Sequence, residues 1–158
     1  MLEGKIESVE QSPGLKLPVF VSYYDSPVKL VESPEGGVAA WRLAADSGSW
    51  SPANGLIDKI LFGADDNIDV LSRDEFIQLT EQERARHLKG SGPVYALYET
   101  VDAITDMQAR EGRYPTPREI ALVQGIRRRT FVMFEEQLER AGAAGADPRL
   151  ATGDLAES

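Results

Sequence analysis

The hydrophobic pattern of this 158-residue chain changes near Ser72, and this change limits the folds that the chain can form. Before Ser72, β-branched and aromatic runs such as residues 19–24 and 28–32 alternate with turn residues, which is typical of strands. From Ser72 onward, apolar residues recur at helical spacing behind S/T-x-x-E capping boxes. The pattern therefore predicts an α+β protein.

The N-terminal part predicts a small antiparallel sheet, and the rest predicts three or four helices packed on it. Residues 33–37 (SPEGG) place a proline and two glycines between two apolar runs, so we expect a hairpin with its turn there. The longest predicted helix covers about residues 117–141 and begins at the Thr116/Glu119 capping box. Residues 1–141 form one predicted domain, sheet-rich over 1–71 and helical over 72–141, and the small polar residues 142–158 predict a flexible tail.

Residue types and spacings offer little support for catalysis. The chain has no cysteine, and its single histidine, His87, lies near a predicted helix end, where histidines typically interact with the helix C-terminus. No nucleophile elbow and no phosphate-binding loop occurs in the sequence. Acids over 65–69 follow calcium-loop spacing, but Val70 and Phe76 stand where glycine and glutamate are required. We therefore expect no catalytic residue, no cofactor and no metal site.

The charge balance points to a protein partner. Seventeen Lys and Arg face 26 Asp and Glu, a net charge of −9, and residues 1–90 carry nine basic and fifteen acidic side chains. An acidic surface attracts a basic protein surface and repels nucleic acid and anionic membranes. The sequence contains no apolar run near the ~20 residues of a membrane span, so we expect a cytoplasmic protein. The first hypothesis is a non-catalytic protein that binds a basic partner, as an adaptor, accessory subunit or immunity/antitoxin-like protein.

Residues 116–138 support a second hypothesis. If the helix breaks at Gly125, the segment resembles the helix-turn-helix of bacterial repressors in its turn glycine and apolar positions: Ile120, Ala121, Gly125, Ile126, Phe131 and Phe134. Residues 112–116 are similar to the lead-in of winged-helix repressors. The resemblance implies a DNA-binding regulator in which four residues enter the major groove and contact phosphates or guanine edges: Arg127, Arg128, Arg129 and Thr130.

A continuous helix over the same residues leads to a different expectation for the arginines. Arg127 then falls inside the apolar stripe of the helix, which predicts a buried ion pair or an interface position. Self-association to a homo-oligomer is a further hypothesis, in which Arg127 or Arg128 meets an acid such as Glu135 or Glu139 of another copy. Whether the backbone turns at Gly125 separates these alternatives.

Overall fold

The computed structural model describes residues 9–10, 16–63 and 65–152, and it has the α+β arrangement that the sequence predicts. Six strands form one antiparallel sheet: β1 (Val9–Glu10), β2 (Val19–Tyr23), β3 (Ser26–Glu32), β4 (Gly37–Leu43), β5 (Trp50–Pro52) and β6 (Ile68–Leu71). The strand order is β1-β4-β3-β2-β6. The fifth strand, β5, pairs with the end of β4, whereas β1 pairs with its start. Among the described strands, β6 therefore ends the sheet on one side.

The predicted hairpin turn at residues 33–37 is confirmed between β3 and β4. The backbone N–H of Gly36 donates to the carbonyl oxygen of Ser33 (2.9 Å), and the Ser33 hydroxyl oxygen accepts from the N–H of Gly37 (2.9 Å). Gly36 has a φ of +88°, which glycine adopts without steric cost. Local turn chemistry thus determines the register of the two central strands.

The central strands are covered on both faces. Because side chains alternate along a strand, Val21, Val28 and Leu30 point to one face, where they pack with Ile57 of the short helix α1 (Ile57–Phe62). The opposite face carries Phe20 and Leu43, which pack with residues of the C-terminal helices. The sheet consequently lies between a small helical layer and a large one.

Three long helices follow the sheet: α2 (Arg73–His87), α3 (Pro93–Arg110) and α4 (Pro117–Arg140). Two short 3₁₀ turns, Asn54–Leu56 and Pro148–Ala151, complete the regular structure. Both expected capping boxes are present, since Ser72 and Glu75 exchange hydrogen bonds of 3.0 and 2.8 Å, and Thr116 and Glu119 exchange bonds of 3.1 and 2.9 Å. Within the described ranges, no helix is long and apolar enough to cross a membrane.

A buried ion network around Arg84 occupies the centre of the large helical layer. The Arg84 guanidinium donates to Glu81 (2.8 Å), to Glu135 (2.5 Å), and through two nitrogens to the carbonyl oxygen of Gly48 (2.8 and 3.0 Å). All three charged side chains are fully inaccessible to solvent. Glu81 and Arg84 lie on α2 and Glu135 lies on α4, so the network joins these helices to each other and to the β4–β5 loop.

Both carboxylates of the network receive further hydrogen bonds. The Tyr98 hydroxyl of α3 donates to Glu81 (2.9 Å), and Trp50 Nε1 of β5 donates to both oxygens of Glu135 (3.0 and 3.1 Å). Burial raises the pKa of Glu81, and the charge of Arg84 opposes that shift. Satisfied donors and acceptors are what make buried charges tolerable, because an isolated ion would lose its hydration without compensation.

Residues 142–152 pack against this centre, which corrects the prediction of a flexible tail from residue 142 for the part that the structure describes. Leu150 is buried in the cluster that contains Phe20 and Phe76, and the backbone N–H of Asp147 donates to Glu135 (2.8 Å). Lys29 of β3 donates to the carbonyl oxygen of Gly145 (2.5 Å), and burial lowers the pKa of Lys29 to about 8. The remaining residues of that prediction, 153–158, lie outside the described part of the chain.

We expect Arg84→Met to lower the free energy of unfolding by about 3–5 kcal/mol, because it leaves two buried carboxylates without their cation. Urea denaturation measures this loss. The matched control is Arg86→Met on the same helix, where the Arg86 side chain is 71% exposed, and its effect should stay within about 0.5 kcal/mol. Equal, small losses for both variants would contradict the role assigned to the network.

Candidate functional site

The helix-turn-helix prediction is corrected by the course of α4. The helix runs without interruption from Pro117 to Arg140, so Gly125 lies in its interior and the backbone does not turn there. Phe131 and Phe134 are buried as core residues of this single helix. The local pattern at Gly125 fits a turn, but packing of the following apolar face against the sheet favours a continuous helix.

The four residues predicted to read DNA do not share one surface. Thr130 is fully buried and donates to the carbonyl oxygen of Arg127 (3.1 Å). Arg128 forms a bidentate ion pair with Asp74 of α2, with N···O distances of 2.7 and 2.9 Å. Arg127 is half-buried, which leaves Arg129 as the exposed member of the set. This arrangement gives no recognition surface of the helix-turn-helix kind.

The contacts proposed for self-association also change. Glu135 is fully buried and already binds Arg84, and Arg128 is already paired with Asp74, so neither is free to meet a second copy. Glu139 remains partly exposed and lies 4.0 Å from Arg149. Of the four residues named for self-association, Arg128 and Glu135 are therefore already paired with other residues of the same chain.

A different feature, the outer edge of β6, has the properties of a binding surface. Among the described residues, β6 pairs with β2 alone, in the register Tyr23↔Ile68 through Phe20↔Leu71. The N–H of Tyr24 donates to the carbonyl oxygen of Asn67 (3.0 Å), which sets the phase of the ladder. Hydrogen-bonded pairs alternate along antiparallel strands, so the N–H and C=O groups of Ile68 and Val70 point away from β2. The N–H of Ile68 donates to the carbonyl oxygen of Asp65 (3.2 Å), so among the described residues the open groups of this edge are the C=O of Ile68 and both groups of Val70.

Exposed apolar side chains lie at this edge. Val70 is 79% exposed, and Phe62, at the end of the helix that leads into β6, is 72% exposed. Tyr24, in the β2–β3 turn that contacts the loop before β6, is 58% exposed. Single exposed apolar residues are common, but exposed apolar residues on an open strand and on the segments that flank it are typical of an interaction surface.

The β2–β3 turn carries backbone strain at the same place. Tyr24 and Asp25 both have positive φ values, +48° and +66°, in a two-residue turn that usually contains Asn and Gly. A non-glycine residue held in this region costs of order 1 kcal/mol or more, and such residues are concentrated at functional sites. The strain supports the β6 edge as a candidate site.

Acidic side chains surround the apolar residues of the edge. We define the β6 edge by seven residues: Tyr24, Asp25, Phe62, Asp65, Asp66, Asp69 and Val70. Asp65 accepts hydrogen bonds from the backbone and side chain of Asn67 (2.9 and 3.1 Å), so it shapes the loop. Asp66 and Asp69 are exposed. Within the described ranges, no group of three or more His, Cys, Asp or Glu side chains is placed to hold a metal ion.

A second group of exposed apolar residues lies at the α3–α4 turn. Tyr114 is fully accessible, and Ile120 and Leu122 are about half exposed on the first turns of α4. Two ion-pair hydrogen bonds of 2.8 and 2.9 Å from Arg113 to Glu119 hold this turn, and Arg113 lowers the pKa of Glu119 to about 2. Helical backbone groups are paired within their helix, so this surface lacks the open main-chain groups of the β6 edge.

Compared with known proteins, the chain matches no family model, no curated protein and no solved structure.

The course of α4 leads to a prediction for glycine substitutions. We expect Gly125→Ala to raise the free energy of unfolding by about 0.5–1 kcal/mol, because alanine favours a helix interior and its Cβ meets nothing within 4 Å. The control is Gly112→Ala, where a φ of +62° makes alanine strained and should lower stability. Thermal or urea denaturation compares the two, and a destabilising Gly125→Ala would favour a turn at Gly125.

Proposed function

We propose that the protein is a non-catalytic binding module that takes up an extended, basic segment of a partner protein along the β6 edge. The observation that carries this proposal is the open strand edge at Val70, whose own side chain is exposed, together with the outward C=O of Ile68. An added strand would pair with the outward backbone groups, which is a recurrent mode of peptide recognition.

The acidic side chains around the β6 edge indicate that the partner segment is basic. Asp25, Asp66 and Asp69 are exposed around the edge, and Lys59 on α1 is the basic residue closest in sequence to Phe62. Acids close to a docked strand favour lysine or arginine on that strand and accelerate its association at low salt. Apolar side chains of the added strand would contact Val70 and Phe62, which contribute affinity through burial of apolar surface.

The backbone part of the proposal is tested by Val70→Pro and Val70→Thr. Proline removes the outward N–H of residue 70 without removing a bond to β2, whereas threonine keeps that N–H on a β-branched side chain. With a short peptide of alternating lysine and valine as the probe, we expect Val70→Pro to weaken binding about tenfold and Val70→Thr to bind like the wild type. Backbone amide NMR of Ile68 and of its neighbours on β6 measures both the binding and its location.

Far-ultraviolet circular dichroism of Val70→Pro serves as the folding control. Equal affinity of the folded proline and threonine variants for the peptide would contradict strand addition at this edge. Peptide-induced shifts confined to other parts of the protein would contradict it as well.

The charge part of the proposal is tested by Asp69→Lys against Glu136→Lys. Both substitutions change the net charge equally at exposed positions, but Glu136 lies on α4 away from the β6 edge. We expect Asp69→Lys to weaken binding of the lysine–valine peptide several-fold and to reduce its salt dependence, while Glu136→Lys leaves both nearly unchanged. The same loss in both variants would show that overall charge, and not the β6 edge, attracts the peptide.

A further inference from the structure

Two cavities meet at Arg127 in the helical layer. The first, of about 460 Å³, lies between α2 and α4 and extends to Pro115 in the loop before α4. The second, of about 410 Å³, lies on the side of α3. Both are lined by Gln82, Thr105 and Arg127. They share no residue with the β6 edge.

Arg127 is a half-buried cation without a protein partner among the described residues. Its neighbours are paired: Arg128 with Asp74 and Arg84 with Glu81 and Glu135. Burial lowers the pKa of Arg127, and the charges of Glu81 and Asp102 oppose that shift without forming an ion pair with Arg127. Desolvating a guanidinium without a counter-charge is unfavourable, so this position costs the fold stability.

The first cavity also contains an acceptor without a donor. The amide of Gln78 donates through Nε2 to the carbonyl oxygen of Gln124 (3.0 Å), while its Oε1 is buried and has no hydrogen-bond partner. Such atoms are uncommon in folded proteins, because a buried acceptor without a partner has lost its hydrogen bonds to water without replacement. Gln78 and Arg127 thus both line the first cavity, and among the described residues Gln78 Oε1 and the Arg127 guanidinium each lack a protein partner.

The remaining walls determine the kind of ligand that fits. Leu79, Ile120 and Val123 supply an apolar side, and the carboxylates of Asp74, Glu75 and Glu119 also line the cavity. The three carboxylates disfavour a dianion such as phosphate, whereas a monoanion can pair with Arg127 at lower cost. The two oxygens of a carboxylate can also accept two parallel N–H bonds from one guanidinium, which gives a bidentate ion pair.

We propose that the cavity between α2 and α4 binds an organic carboxylate, with the carboxylate on Arg127, an N–H or O–H of the ligand on Gln78 Oε1, and an apolar group against Leu79, Ile120 and Val123. The source of the carboxylate is a free small acid or the carboxyl terminus of a peptide. The site is independent of the β6 edge and does not rest on the proposed function.

N-acetyl-leucine is a suitable probe, because it combines a carboxylate, an N–H donor and an apolar side chain. We expect backbone and side-chain NMR signals around Gln78 and Arg127 to shift on its addition, and its uncharged analogue N-acetyl-leucinamide to bind at least tenfold more weakly. A carboxyl-terminal leucine peptide and its amide form the second comparison. If the peptide acid binds more tightly than N-acetyl-leucine, the natural ligand of the site is the carboxyl terminus of a chain. If the two bind equally, the natural ligand is a free small acid.

Arg127→Met and Arg129→Met provide the matched variants, since both remove one positive charge from α4. We expect Arg127→Met to weaken binding of N-acetyl-leucine at least tenfold and to raise the midpoint of urea denaturation, because the unpaired buried cation is gone. Arg129→Met, at an exposed position, should change neither.

Three results would overturn the proposal. These are the absence of shifts at the cavity with either acid, equal binding of acid and amide, and unchanged binding by folded Arg127→Met.

Discussion

The salt-bridged contact between Arg84 and the two buried carboxylates organises the helical layer of this protein. Arg84 spans α2, α4 and the β4–β5 loop, while Glu81 and Glu135 bring in Tyr98 of α3 and Trp50 of β5. Buried ions of this kind add little net stability compared with apolar residues of similar volume, but removing one partner is costly. We infer that the network fixes how the helices sit on the sheet, because a shifted helix would leave a charge buried without a partner.

The two candidate sites lie outside this network and differ from it in one physical respect. Each charged group of the network has hydrogen-bond partners. Among the residues that the structure describes, by contrast, the outward backbone groups of Val70 at the β6 edge have no partner, and neither do the Arg127 guanidinium and Gln78 Oε1 at the α2–α4 cavity. Unpaired polar groups in a folded protein mark places where a ligand or partner can contribute the missing bond. The protein can keep these unpaired groups because its packed centre supplies enough stability to offset the stability that they cost.

Much of the fold could be predicted from local signals, and the sites could not. The capping boxes at Ser72 and Thr116 and the turn at residues 33–37 act within a few residues, so the predictions that rest on them are confirmed. Gly125 supports a turn locally, but the burial of Phe131 and Phe134 against distant residues favours a helix. Residues 142–152 have a tail-like composition, and their order comes from contacts with Lys29 and Glu135 that no local pattern reveals. For the same reason, β6 is visible in the sequence as a short extended segment but not as an edge strand, because its pairing with β2 connects distant parts of the chain.

Site-specific photo-crosslinking in cell extract, at low and at high salt, tests most directly whether a partner protein docks at the β6 edge. A photoreactive amino acid replaces Val70 in one variant and Glu136 in a second, and both positions are exposed. Docking at the β6 edge predicts a discrete crosslinked species at low salt with the probe at position 70, which does not form with the probe at position 136 and does not form at high salt. Crosslinks of equal yield from both positions, or none from position 70 while position 136 gives a discrete product, would contradict it.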